Sequence, residues 1–270
     1  MLVTKKDRKI LTSQSENALK MSNNFSRFDN KIAVVTGGAD GIGKTIAKRL
    51  SDEGAKIYLF DRDLDLLEKT AKEISRSSLV HVDVADDESV NDGISEVVEK
   101  EGRLDVVVHC AGIVGPNATK VTEVDVEDFD EVYRINLRGS FSVTKYALKQ
   151  MEKQGSGRVL LFASIAGKEG NAGMTAYSAT KAGVIGLVKS AGKDFAESGI
   201  TINAIAPAVI RTAMVEKLDQ WQVDYMTDKI PMKRCGTLEE VSSLACWIVS
   251  DEGSFNTATV FDLSGGRATY

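Results

Sequence analysis

The chain has 270 residues, 43% hydrophobic and 27% charged, a balance that suits a soluble globular protein able to bury a substantial core in one large α/β domain or two small ones. A net charge of -5 gives no electrostatic reason to expect nucleic acid or an anionic membrane as partner, and no apolar run approaches the roughly 18 residues that span a bilayer. Three widely spaced cysteines, Cys110, Cys235 and Cys246, argue against a disulfide framework and a Cys-rich metal site, and suit a reducing cytoplasm.

In chain order, "MLVTKKDRKILTSQSENALK" lacks the apolar core of a secretory signal, and Asp7 and Glu16 weaken a transit-peptide reading. Met21 opens "MSNNFSRFDNK" just ahead of the first strand. Residues 1–28 are therefore expected to form a flexible N-terminal extension, with 1–20 taking no catalytic part, and residues 29–270 a single folded domain. From there, short β-branched runs at 31–36, 55–60, 79–84, 104–110, 158–164, 200–206 and 258–263 alternate with helical spacing at 41–53, 86–101, 129–153, 175–197 and 237–250. The strand runs are continuously apolar, as in a parallel sheet covered on both faces. Strict alternation predicts right-handed βαβ units in a Rossmann-type, doubly wound α/β sheet of about seven strands.

Directly after the first strand comes "TGGADGIGK". Gly37, Gly41 and Gly43, with Asp40 and Ile42 between them, allow a tight turn and a close backbone approach at a helix N-terminus, where free N–H groups and partial positive charge suit a pyrophosphate. The spacing is G-x-x-x-G-x-G, not the G-x-G-x-x-G of the dinucleotide fingerprint. Asp61 follows the second strand, where a carboxylate accepts hydrogen bonds from both hydroxyls of an adenosine ribose. A 2′-phosphate there would meet a like charge, about 4 kcal/mol per charge pair at ~4 Å and an effective dielectric of ~20. That favours NAD over NADP, although Arg62 next door offers a phosphate a cation. Asp83 and Val84, ending the third strand, are expected beside the adenine.

Further along, "AYSATKAG" places Tyr177 and Lys181 one turn apart on one helical face. A phenol and an ammonium so placed are either a solvated pair or an acid/base device. Spacing alone does not decide, because Tyr225 and Lys229 repeat it.

With these motifs in hand, the chain resembles the short-chain dehydrogenase/reductase family over nearly all of 30–270. The resemblance is carried, in order, by "TGGADGIG" (36–43), "CAG" (Cys110, Ala111, Gly112), Asn136 in "RINLRGSF", Ser164 in "FASIAG", "YSATK" (177–181), "INAIAPAVIRT" (202–212) and "DLSGG" (262–266). It implies an NAD(P)-dependent oxidoreductase, commonly a homotetramer, with an Asn136–Ser164–Tyr177–Lys181 tetrad. The implied cofactor contacts also include Cys110, Ala111, Gly112, Pro207, Val209, Ile210 and Thr212, together with Tyr177 and Lys181. Two places depart from the family pattern: His109 and Cys110 precede Ala111-Gly112 where asparagine is typical, and Ala208 follows Pro207 where glycine is usual. A zinc site has no support, because His81, His109 and the cysteines lack ligand spacing.

The implied chemistry passes a hydride to the nicotinamide while Tyr177 takes the hydroxyl proton. A free phenol has a pKa of ~10 and needs a depression of about 2 to 3 units to serve near neutrality; Lys181 and the oxidised nicotinamide are the expected positive charges. Ser164 would donate to the substrate oxygen. Asn136 would open its helix and hold a water linking Lys181 to solvent. The polar insertion 212–231 is the expected substrate lid, with Tyr225 shaping the pocket rather than acting as base. "AGKEGNAG", "VDYMTDKIP" and "FDLSGGRATY" look like the branch acting on 2-keto-3-deoxy sugar acids such as deoxyfuconate or deoxyrhamnonate. Lys168, Arg211 and Arg267 are the candidate cations for such a substrate, Arg267 from across a subunit boundary. The alternatives are a 3-oxoacyl-(acyl-carrier-protein) reductase, a polyol or sugar dehydrogenase, and a non-catalytic NAD-binding regulatory protein. The small residues Ala179, Ala182 and Gly183 would let the helix pack closely on a neighbour or on its copy in a second subunit.

Overall fold

Five consecutive small or β-branched residues, Ile32–Thr36, form β1 and are buried throughout, as a central parallel strand requires. The computed structural model describes residues 26–217, 219–268 and 270. After β1 come α1 (Gly41–Asp52), β2 (Lys56–Asp61), α2 (Leu64–Glu73), β3 (Ser77–His81), α3 (Asp87–Glu101) and β4 (Val106–His109). The chain continues with α4 (Val126–Tyr133), a π-helical turn (Arg134–Arg138), α5 (Gly139–Gln154), β5 (Gly157–Phe162), α6 (Ile165–Glu169) and α7 (Thr175–Asp194). It ends with β6 (Ile200–Pro207), α8 (Ala213–Glu216), α9 (Gln220–Asp228), α10 (Leu238–Ile248) and β7 (Val260–Leu263).

All seven strands run parallel in the order β3-β2-β1-β4-β5-β6-β7. Alternate side chains feed two cores. Val34, Phe60, Val107 and Leu161 pack with α3, α5 and α7 through Ile94, Val143 and Val184. Val35, Leu59, Val108 and Leu160 pack with α1 and α10 through Ile46, Leu50 and Val241. The order reverses between β1 and β4, so their carboxyl ends diverge into helices on opposite faces and leave a crevice.

Several boundaries differ from the sequence expectation. The third strand ends at His81, not Val84: Val82 N–H still donates to the Asp61 carbonyl, but Asp83 then folds its carboxylate onto Ala85 N–H. Asp83 and Val84 therefore lie in the turn after β3. The helix expected over 129–153 starts at Val126 and opens into the π turn that carries Asn136. The folded domain begins earlier than residue 29, because Phe28 is buried and its N–H donates to the Glu53 carbonyl at 3.0 Å. Within the expected extension, residues 1–25 lie outside the described residues.

No described helix is long and apolar enough to cross a membrane. Leu161 is fully buried and sits in register between His109 and Ala204. Leu161→Ala is expected to cost about 2–5 kcal/mol through lost burial and a residual cavity, read as a lower urea midpoint at unchanged slope.

Candidate active site

The crevice is a cavity of about 460 Å³ that brings together Gly37, Asp40, Gly41, Ile42 and Gly43 from the first loop. Its shape depends on missing side chains: a Cβ on Gly43 would lie 2.1 Å from the Gly37 carbonyl oxygen, and one on Gly37, at φ +63, would lie 2.8 Å from Ala111 N. Asp40 stands at the N-cap of α1 but makes no side-chain cap hydrogen bond. The amide donors and positive dipole end of a twelve-residue helix thus open onto the cavity, which fits the diphosphate of a dinucleotide.

Along the side of the cavity nearest β2 and β3 lie Asp61, Arg62, Asp83 and Val84. Asp61 is locked in place: its carboxylate accepts from Ala39 N–H and Asp63 N–H, both at 3.2 Å. Capping of α2 belongs instead to Asp63, which accepts from Leu66 N–H at 3.0 Å. Each oxygen of Asp61 keeps acceptor capacity for a ribose hydroxyl.

The far wall is Cys110, Ala111 and Gly112 after β4. Thr36 and His109, opposite each other in the β1–β4 ladder, join through Oγ1 and Nδ1 at 2.7 Å, and Thr36 Oγ1 also accepts from Ala111 N–H. His109 is buried, and burial first, then the charge of Lys181, pushes its imidazole down to about 3. Burial likewise pushes the Cys110 thiol far above its usual range. Among the described residues, no group of three or more His, Cys, Asp or Glu could hold a metal ion.

The four tetrad residues converge behind this wall. Lys181 is 5% exposed and donates through Nζ to the Phe162 carbonyl at 2.7 Å; burial pushes its ammonium down to about 8. A Cβ on Gly112 would lie 3.6 Å from that nitrogen, so the ammonium sits immediately behind the cavity wall. Its Nζ lies 5.7 Å from the centre of the Tyr177 ring. Burial raises the Tyr177 phenol, and the Ser164 hydroxyl works in the opposite direction. The protein groups thus leave the phenol above its ordinary value, where depression by Lys181 was expected. Ser164 is 7% exposed and caps α6 by accepting from Ala166 N–H at 3.1 Å, which leaves its O–H to donate. The Asn136 carboxamide accepts from Ile113 N–H and donates to the Ile113 carbonyl, both at 2.8 Å, and reaches Thr180 Oγ1 at 3.4 Å. The side chain thereby clips the loop after β4 to the π turn.

The other expected contact residues are spread over several places. Of the segment after β6, only Thr212 with Ala213 reaches the main cavity. Pro207 ends β6, Ile210 is buried and bridged to Gly236, and Val209 lines a separate cavity of about 410 Å³ with Ala208. Ala208 is not among the residues with positive φ, so the freedom of glycine is not used there. Tyr225 is 63% exposed, with Lys229 Nζ 5.0 Å from its ring, a solvated pair. Arg211 is exposed. Lys168 and Arg267 are paired inside the chain, with Asp262 and Glu169. Gly183 packs on Leu137 of the π turn, whereas Ala179 and Ala182 are exposed. Sequence reasoning passed over Phe60, Leu66, Val82, Ile113 and Ile135 as cavity walls; Ile113 and Ile135 adjoin recognised motifs, and adjacency was the available signal.

A glycine cradle at a helix N-terminus, a fixed carboxylate at the end of β2 and a half-buried tyrosine beside a buried lysine define a dinucleotide-dependent oxidoreductase of Rossmann type. A family model described as "Enoyl-(Acyl carrier protein) reductase" matches residues 37–268. The chain belongs to the short-chain dehydrogenase/reductase family and is an enzyme acting on CH–OH donors. It is 42% identical over 244 residues, 90% of this chain and 98% of the relative, to a 2-dehydro-3-deoxy-L-rhamnonate dehydrogenase (NAD(+)) of Sphingomonas sp. (strain SKA58). It is 36% identical over 244 residues, 89% of this chain and 98% of the relative, to a 3-oxoacyl-(acyl-carrier-protein) reductase of Thermotoga maritima. The crystal structure of a single-substitution variant of actinorhodin polyketide ketoreductase with NADPH superposes at a TM-score of 0.83 with 31% identity, covering 89% of this chain and 98% of that one.

Two outcomes follow from the geometry. Gly43→Ala closes the cradle, and NADH affinity measured by fluorescence titration should fall at least ~100-fold, because backbone cannot yield as a flexible side chain can. His109 binds its proton far more readily unfolded than folded, so native stability should fall as pH drops from about 6.5 towards about 3. In His109→Asn that part of the loss, read from urea midpoints at successive pH values, should disappear.

Proposed function

We propose that this enzyme interconverts a secondary alcohol and a ketone on a sugar-derived acid of the 2-keto-3-deoxy type, using NAD, with Tyr177 as the proton-transfer group. The observation that carries the reading is the half-buried Tyr177 beside the buried Lys181, whose ammonium abuts the cofactor cavity at Gly112, with Ser164 facing the phenol. When bound, an oxidised nicotinamide supplies the hydride acceptor and a positive charge near the phenol. Ser164, its lone pair committed to the α6 cap, donates to the substrate oxygen and holds it toward Tyr177. Tyr177 takes the hydroxyl proton as the carbonyl forms. Lys181, held near Phe162, favours the phenolate by charge. Asn136 and the π turn keep the loop after β4 in place.

NAD is favoured over NADP by Asp61, whose fixed carboxylate accepts ribose hydroxyls and repels a 2′-phosphate; the Sphingomonas relative is named for NAD(+). The sugar-acid reading draws on the same relative and on Arg211, exposed immediately before 212–231 and without an ion-pair partner among the described residues. That segment is the lid, and Arg211 the cation for a substrate carboxylate. Pro207, Val209 and Ile210 form the loop beside the nicotinamide. The reading includes a cytoplasmic homotetramer, supported by the exposed Ala179, Ala182, Tyr133 and Phe141 on α7, α4 and α5. Reduction of a 3-oxoacyl thioester is the second reading, favoured by the Thermotoga relative.

The test is a panel of sugar acids, polyols and hydroxyacyl thioesters with NAD or NADP, followed by absorbance of reduced nicotinamide. Turnover of sugar acids with NAD is expected, while turnover of thioesters alone overturns the substrate class and activity confined to NADP overturns the role of Asp61. Tyr177→Phe should lower kcat by ~10²–10⁴. The wild-type oxidation rate should rise with pH as the phenol ionises, and the reduction rate should fall.

A further inference from the structure

The segment Asp262–Ala268 and Tyr270 are joined to the region of α6 by a set of side-chain contacts. Lys168 Nζ bonds both carboxylate oxygens of Asp262 at 2.9 Å, with the lysine side chain 8% exposed. Tyr270 lies under the same ammonium, 4.8 Å from ring centre to Nζ, and its hydroxyl donates to the Lys168 carbonyl. Arg267 donates through Nε to Glu169 at 2.9 Å and through Nη2 to Asn171 Oδ1 at 3.0 Å. Asn171 N–H in turn donates to Ser178 Oγ at 3.1 Å, one residue from Tyr177. On the other side, Met232 N–H donates to the Gly265 carbonyl at 3.2 Å, and a Cβ on Gly265, at φ +59, would lie 2.6 Å from Ile230.

Helix α6, which carries Ser164 as its cap, has five residues, a single turn that does not hold its own geometry in water. The contacts from Asp262, Arg267 and Tyr270 supply what that single turn lacks. Lys168 and Arg267, placed by sequence as cations for substrate, have acidic partners in their own chain, so their charges are directed to the protein.

We propose that Asp262–Ala268 together with Tyr270 is a positioning strap of the active site: through Lys168, Glu169 and Asn171 it fixes α6 and the loop to α7, and so sets Ser164 against Tyr177. Lys168 and Arg267 are positioning residues. The inference rests on the reading of Ser164 and Tyr177 as the proton-transfer pair. None of the strap residues lines the cofactor cavity, so loosening the strap should spare dinucleotide binding and impair the chemical step.

The test compares wild type with Arg267→Met, with Arg267→Lys as conservative rescue, and with deletion of Tyr270 alone, a truncation that leaves the core intact. Amide hydrogen exchange across 165–173 should quicken at least ~10-fold in Arg267→Met, while β1 and β4 amides stay unchanged. NADH affinity should stay within about twofold. At saturating NAD, kcat for the alcohol found in the panel should fall at least ~10-fold, with Arg267→Lys and the Tyr270 deletion intermediate. Unchanged exchange overturns the strap, and faster exchange with unchanged kcat overturns its positioning role. If wild type turns over no alcohol, the functional reading fails by itself. The strap is then judged from exchange together with the Tyr177 ring resonance in tyrosine-labelled protein. Movement of both in the variants sustains it, and movement of neither, or of exchange alone, overturns it.

Discussion

A buried ammonium ion at the carboxyl end of the sheet is the constraint around which the rest is arranged. Lys181 is 5% exposed, and its hydrogen bond to the Phe162 carbonyl is the polar contact that holds it. Burying such a charge is costly unless it is paired or used, and the surroundings bear the mark of it. His109 is kept neutral, in part by the same charge. Gly112 leaves room for the ammonium on the cavity side, and a Cβ on Gly167 would collide with the Lys181 backbone at 2.6 Å. The neighbourhood is built of residues that concede space to one cation.

That cation connects two halves of the molecule with different physics. On one side the β1/β4 divergence makes a crevice of backbone donors and one fixed carboxylate, suited to a long polyanionic ligand with ribose hydroxyls. On the other, α6, α7 and the strap hold hydroxyls and a phenol. The π turn joins them: Ile135 lines the crevice while Asn136 grips Ile113.

Most of the fold was legible from periodicity. Continuous apolar strands and amphipathic helices alternate without exception, and the two core faces follow from side-chain alternation. Errors came at ends, where side-chain hydrogen bonds compete with the ladder, as at Asp83. The first glycine loop, Asp61 and the Tyr177–Lys181 pair were visible because each needs particular atoms at fixed spacing. The partners of Asn136, Lys168 and Arg267 were not visible. A cation or an amide looks the same in sequence whether it faces solvent, substrate or a carboxylate 94 positions away.

Tyr177–Lys181 and Tyr225–Lys229 show where the division lies. By itself the sequence determined that both pairs share a helical face, because the helical repeat is a local property of consecutive residues. It also determined that a glycine loop follows the first strand and opens a helix. Only the tertiary structure decided that Lys181 of one pair is enclosed by β5, Gly112 and the π turn while the other pair stands in water at the C-terminal end of α9. It alone decided, too, that Lys168 and Arg267 bind the chain's own carboxylates. Burial and charge pairing are made by segments far apart in sequence, and dielectric environment follows from what they bring together.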